Sequence, residues 1–213
     1  MDVHELVEFC HPNVHGVLGY CLEGESLYLV HELMEKRSLK DHLHNGTAIL
    51  PFTKRIKIAV GVARGLLFLQ RKGLIAEDWI LDTNEIWLDK EFNAKLFYVD
   101  VARLLNILEG PTVHSRQCDV NGLGLLLMEI LTGKPAPSDY MGRERWSPKV
   151  ALAYVQDLVD RRMRLKDTEL ERARELFSLI LKCTSYHYTM EQALKELEQI
   201  YSRMKRRFFL IFH

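Results

Sequence analysis

The stretch GLIAEDWILDTNEIWLDKEFNAKLFYVDVAR, Gly73 to Arg103, constrains the fold more than any other part of the chain. An apolar approach, Leu74-Ile75, runs into the acidic pair Glu77-Asp78. Two short strand-like pieces follow, Ile86-Trp87-Leu88 and Ala94 to Val99, joined by the turn-forming Asp89-Lys90-Glu91-Phe92-Asn93. A loop and a hairpin of this size need support from their flanks, and both flanks supply it. From Thr53 to Leu69, Ile56, Ala59, Val60, Ala63, Leu66 and Leu67 recur at helical spacing, which predicts a buried amphipathic helix. From Cys118 to Ala136, Val120, Leu123, Leu126, Leu127, Ile130 and Leu131 predict a second helix, central and buried. The loop and the hairpin read as lying at the mouth of a cleft.

The remaining chain reads as further small elements around that pair. Val3, Leu6 and Val7 are spaced for a short helix over residues 2 to 10, and His11-Pro12-Asn13 stops it. Val14 to Leu18 and Ser26 to Val30 read as a hairpin around Cys21-Leu22-Glu23-Gly24-Glu25. Leu170, Ala173, Phe177, Ile180 and Leu181 make one helical stripe, and Met190, Ala193, Leu197, Ile200 and Met204 make another.

Charge and cysteine usage narrow the function classes. The 29 basic and 29 acidic residues cancel, so neither a nucleic-acid footprint nor an anionic-membrane surface is indicated. Lys205-Arg206-Arg207 reads as a solvated helix end. Cys10, Cys21, Cys118 and Cys183 show no metal-binding spacing and read as reduced intracellular thiols. No signal peptide opens the sequence and no apolar run has membrane-spanning length. The tail Phe208-Phe209-Leu210-Ile211-Phe212 is apolar but far too short to span, and calls for burial.

In this frame the chain resembles the protein kinases, and among them the plant receptor-like cytoplasmic kinases. HPNVHGVLGYCLEGESLYLVHELMEKRSLKDHL is similar to the segment from the end of the family's helix C through the hinge into helix D. Asp2 then falls at the helix C glutamate, His31 at the gatekeeper, and Glu32-Leu33-Met34 at the hinge. CDVNGLGLLLMEILTGKPA resembles the family's central helix F, with Asp119 at its start in a structural role, tying down the catalytic-loop backbone. Leu158 to Met163, Glu169 to Cys183 and Thr189 to Met204 resemble helices G, H and I. The implied fold is α+β and predominantly helical: a remnant of the small lobe and hinge at 1–34, a large lobe at 35–207, and an apolar tail at 208–213.

The same resemblance shows what chemistry has been exchanged. The family's His-Arg-Asp reads Ala76-Glu77-Asp78, and its Asp-Phe-Gly reads Tyr98-Val99-Asp100. Asp78 is the intact catalytic side chain that the resemblance implies, although an Asp in such a loop serves equally to cap backbone amides. Tyr98 replaces the magnesium-binding carboxylate with a phenol of pKa about 10, which is neutral near pH 7. Asp100 is offset by two residues, roughly 6.6 Å along an extended chain. Aligning on the following strand puts Glu85 at the family's second metal ligand, whereas a one-residue shift puts Asn84 there. Trp87 stands where the family has its apolar floor under adenine, and Met34 at the adenine-contacting hinge. No glycine-rich loop or strand-three lysine precedes Asp2, and no Ala-Pro-Glu follows Arg103.

The resulting expectation is a truncated pseudokinase: a non-catalytic module that binds or scaffolds a protein, such as a related kinase or its substrate. No cofactor is expected, and residence is cytoplasmic, at the plasma membrane only through a partner. Two alternatives stand beside it. One is a serine/threonine kinase using Asp78 with magnesium-ATP held by Asp100 or Glu85; the other is a truncated, non-functional kinase fragment.

Overall fold

The computed structural model describes residues 10–24, 26–46, 48–72, 81–97, 116–135, 158–184 and 187–209. Strands β1 (Val17–Glu23) and β2 (Ser26–His31) form an antiparallel hairpin running from Val17 opposite His31 to Glu23 opposite Ser26. Its connection turns at Gly24, whose φ of 61° a residue without a Cβ adopts at little cost. β1 starts later than the predicted Val14–Leu18 and takes in Cys21 to Glu23, which the sequence places in the turn. Val14 is used elsewhere: it bridges to Leu96, and the His15 amide donates to the Leu96 carbonyl at 2.8 Å.

A second sheet has the order β3 (Lys36–Ser38), β4 (Ile86–Leu88), β5 (Ala94–Leu96), all antiparallel. β3 has no apolar alternation and escapes the sequence reading; it forms because its neighbour β4 offers an open edge. β4 and β5 are joined by the predicted turn, in which the Asp89 carboxylate accepts from the Glu91 and Asn93 amides and from Asn93 Nδ2. Phe92 there takes a left-handed φ of 61°, and its ring lies 4.0 Å from Lys54 Nζ.

A π-helical turn, Asp41–Asn45, leads to α1 (Phe52–Arg71), the helix predicted over Thr53–Leu69. Ile56, Ala59, Val60, Ala63, Leu66 and Leu67 are all buried. Gly61 and Gly65 lie one turn apart on α1, and the His11–Val14 loop rests directly on them. A Cβ added at Gly65 would stand 2.7 Å from the Asn13 carbonyl oxygen, and one at Gly61 would stand 2.8 Å from Asn13 Nδ2. The closeness lets Asn13 Nδ2 donate to the Ala94 carbonyl at 2.9 Å and the Leu96 amide donate to the Asn13 carbonyl at 2.9 Å.

α2 (Arg116–Thr132) is the buried centre, with Leu123, Leu127, Ile130 and Leu131 fully enclosed. α3 (Asp167–Cys183) packs on it where Gly124 leaves room for Cys183, and α4 (Met190–Phe209) lies against α1. The helix expected over Leu158–Met163 is not continuous: Leu158 is helical, the chain bends at Val159, and Arg161–Met163 form a single 3-10 turn. Asp160 explains the difference: its carboxylate accepts from the Arg162 amide and holds the Arg55 guanidinium at 2.6 Å, and Arg164 follows in a left-handed conformation. The short helix predicted over residues 2–10 lies outside the described residues.

Candidate functional site: a cleft backed by two histidines

The candidate site is drawn from the segment after β2, from β4 and from the end of β5. Within β4, Ile86 and Leu88 are buried in the core and Trp87 points the other way, 36% exposed. Trp87 pairs with Lys95 of β5, and Lys95 Nζ reaches the Glu32 carboxylate at 2.9 Å. Trp87 and Lys95 therefore share the face turned toward Glu32-Leu33-Met34. Leu33 is 87% exposed and Met34 half-buried.

Beside Lys95, His15, His31 and Phe97 pack ring against ring. Their centroids are 4.9 Å apart for the histidine pair, 5.1 Å for His15–Phe97 and 5.3 Å for His31–Phe97. The hydrogen bonds fix where the protons lie. His15 Nε2 is 2.9 Å from the Glu32 carbonyl and His31 Nδ1 is 3.2 Å from the Gly16 carbonyl. A carbonyl only accepts, so both nitrogens carry hydrogen. His15 Nδ1, 3.1 Å from His31 Nδ1, then accepts a share of the hydrogen that His31 also directs at the Gly16 carbonyl. Burial pushes the His15 pKa below the usual 6.5; the Glu32 carbonyl and carboxylate oppose the shift, while His31 and Lys95 add to it.

The loop before β4 is fixed by a turn in which Asp82 Oδ1 accepts from the Asn84 amide at 2.8 Å and the Asp82 carbonyl accepts from the Glu85 amide at 3.0 Å. Asn84 is exposed; Glu85 is half-buried, and its carbonyl accepts from the Phe97 amide at 2.7 Å. Beneath the turn is an arrangement that sequence reasoning missed. Thr83 Oγ1 donates to Glu129 Oε1 at 2.9 Å, and His44 Nε2 donates to the same oxygen at 2.6 Å. The three residues sit on three separate elements, so no spacing in the sequence announces them.

Of the site residues that the resemblance implies, Met34 lies between β2 and β3, Asn84 and Glu85 in the turn before β4, and Trp87 on β4. Asp78 and Asp100 lie outside the described residues, as do Asp2, Ala76, Glu77 and Tyr98; Asp119 is in α2, with its side chain undescribed. Among the described residues no group of three His, Cys, Asp or Glu side chains is placed to hold a metal ion, and no helix is long and apolar enough to cross a membrane.

Known proteins with this sequence pattern and fold are protein kinases and their relatives. The profile of the family "protein tyrosine and serine/threonine kinase" matches residues 1–106. A probable serine/threonine-protein kinase of Arabidopsis thaliana, PBL18, is 35% identical over 198 residues, covering 79% of this chain and 49% of its own. The Arabidopsis serine/threonine-protein kinase BIK1 is 30% identical over 240 residues, covering 93% of this chain and 59% of its own. The chain thus spans about half the length of these curated relatives. Among solved structures, the pseudokinase domain of BIR2, an immune regulator of the RLK/Pelle family, superposes with a TM-score of 0.79 at 26% identity. That match covers 94% of this chain and 68% of the other. The pseudokinase DRIK1, solved with ENMD-2076, gives a TM-score of 0.72 at 21% identity, covering 92% and 72%, and so speaks for the fold alone.

Proposed function

This chain carries a protein kinase domain whose curated relatives are plant receptor-like cytoplasmic kinases, and from that premise we propose that it acts without catalysis, binding a protein partner in phosphorylation signalling. The observation that carries the reading is the His15–His31–Phe97 cluster. In the kinase frame His31 is the gatekeeper and Glu32 to Met34 the hinge, whose backbone a purine would have to engage. Here the Glu32 carbonyl already accepts from His15, and the rings of His15, His31 and Phe97 crowd together beside it. Tyr98 supports the same reading, since a neutral phenol stands where magnesium needs a carboxylate. Neither ATP nor magnesium is part of this proposal. Residues 1–34 act as the remnant small lobe and hinge, 35–207 as the large lobe and 208–213 as an apolar tail. The partner is a related kinase or its substrate, met in the cytoplasm or, through that partner, at the plasma membrane.

The competing reading, a serine/threonine kinase, is favoured by one residue, Asp78, which matches the family's substrate-orienting aspartate. Thermal unfolding in rising magnesium-ATP separates the two. A ligand at a hundred times its Kd stabilises the folded state by about 2.7 kcal/mol, so a binder shows a saturable rise in Tm. We expect no shift. A saturable rise, with autophosphorylation abolished by Asp78→Asn, establishes the kinase instead.

A further inference from the structure

The two histidines at the hairpin root satisfy all three of their bonds with one arrangement of hydrogens. His15 Nε2–H goes to the Glu32 carbonyl, and the single His31 Nδ1–H is shared between the Gly16 carbonyl at 3.2 Å and the bare lone pair of His15 Nδ1 at 3.1 Å. These bonds join three backbone segments: the approach to β1, the end of β2, and Glu32 beyond it. They close the root of the hairpin, where Val17 pairs with His31. His31 Nε2 takes part in none of them, so a proton arriving there leaves the set intact.

A proton on His15 Nδ1 is different. Two N–H groups would then face each other at 3.1 Å, so either one ring turns away from its carbonyl or His31 shifts its hydrogen to Nε2 and accepts from His15. In each case Gly16 or Glu32 loses its donor and the hairpin root is held by one bond fewer. We propose that His15 and His31 form a proton-operated latch, closed while His15 Nδ1 is bare and opened by its protonation, that sets how firmly the β1–β2 hairpin is held over the cleft. The charged and titratable groups around His15 are His31 on β2, the Glu32 carboxylate beyond it, and Lys95 on β5, itself paired to Glu32. Phe97 closes the remaining side with an uncharged ring. Burial at 5% exposure keeps His15 uncharged near neutrality, so the latch opens on the acid side of 6.5. The latch is independent of whether the cleft takes nucleotide, and it can fail while the non-catalytic reading stands.

Long-range proton–nitrogen correlation of the imidazoles in the full chain at pH 7.5 should show His15 protonated on Nε2 and His31 on Nδ1. Lowering the pH to 5 should accelerate amide exchange at residues 29–34, corrected for the intrinsic rate, by about tenfold or more, since an equilibrium linked to one proton changes by up to about tenfold per pH unit. Amides at 176–180 in α3 should stay constant over the same range. His15→Phe keeps a ring in the cluster and removes the latch, so residues 29–34 should exchange fast already at pH 7.5 and lose their pH dependence. His15 protonated on Nδ1 at neutral pH overturns the proposal, as does exchange at 29–34 that ignores pH in the wild type. Should the variant fail to fold, those two wild-type measurements decide the matter alone.

Discussion

Arg55 and Asp160, 105 residues apart in the chain, meet through a 2.6 Å ion pair in which both side chains are almost fully buried. Arg55 spends its other donors on the carbonyls of Leu50 and Ile130, at 2.9 and 2.8 Å. Asp160 also accepts from Arg162, whose guanidinium goes on to the Leu43 carbonyl. One carboxylate thus ties the start of α1, the end of α2, the π-helical turn and the 3-10 turn together. Asp160→Asn keeps the shape and removes the charge, stranding a buried guanidinium. We expect a loss of about 3–5 kcal/mol, read as a lowered urea midpoint, since breaking one side of a buried pair leaves the other uncompensated.

The exposed pair Arg64–Glu198, also 2.6 Å long, provides the contrast. Both side chains are about half exposed, and water offers them nearly equivalent partners. Glu198→Gln should change unfolding stability by no more than about 0.5 kcal/mol, and high salt should remove even that. A larger effect would show that the α1–α4 seam depends on charge more than on its buried apolar contacts.

Acid should weaken the protein in two windows. His11, His15 and His42 all have pKa values pushed below 6.5, first by burial and, for His11, by Arg64 and, for His42, by Lys36, Arg37 and Lys54 against the opposing Asp41. The unfolded chain therefore takes up protons that the folded chain resists, so stability is full above 6.5 and falls as the pH drops below it. Asp160 acts lower down. Burial alone would raise its pKa, but hydrogen bonds from Arg162 and Arg55 outweigh that and hold it at about 2. Its contribution is present above the ordinary 3.8 and is lost as the pH falls through about 2. Chemical unfolding repeated between pH 8 and pH 2 should show the first decline in the wild type, and Asp160→Asn should lack the second.

Glycine substitutions test the contact between the hairpin approach and α1. Gly65→Ala puts a methyl group 2.7 Å from the Asn13 carbonyl oxygen, a backbone atom with nowhere to go. Overpacking of this kind costs about 1–3 kcal/mol, more than the helix propensity that alanine restores. Gly19→Ala, with no atom within 4 Å of its added Cβ, should be close to neutral by the same measurement. Equal effects at the two positions would contradict this packing.

How much of this was legible in the sequence depends on the range of the interaction that decides each feature. α1 and α2 announce themselves, because Ile56 to Leu67 and Val120 to Leu131 repeat at the helical period and are buried for that reason. β4, β5 and the Asp89 turn are similarly local. β1 is misplaced by three residues because Val14 pairs with Leu96, far along the chain, and the segment at Leu158–Met163 fails as a helix because Asp160 answers to Arg55. The candidate site shows the same division. The kinase resemblance singles out Trp87, Met34 and the gatekeeper position His31. Its bond to His15 and the reach of His15 to Glu32 depend on ring orientation, which no periodicity encodes.

Gly61 and Gly65 carry a mechanical consequence. By letting the His11–Val14 loop lie on α1, they anchor the approach to the hairpin on the middle of that helix through Asn13. A pull on the hairpin should reach the central turns of α1 through Asn13. Solvent protection in those turns is therefore where engagement of the hairpin should be felt first inside the molecule.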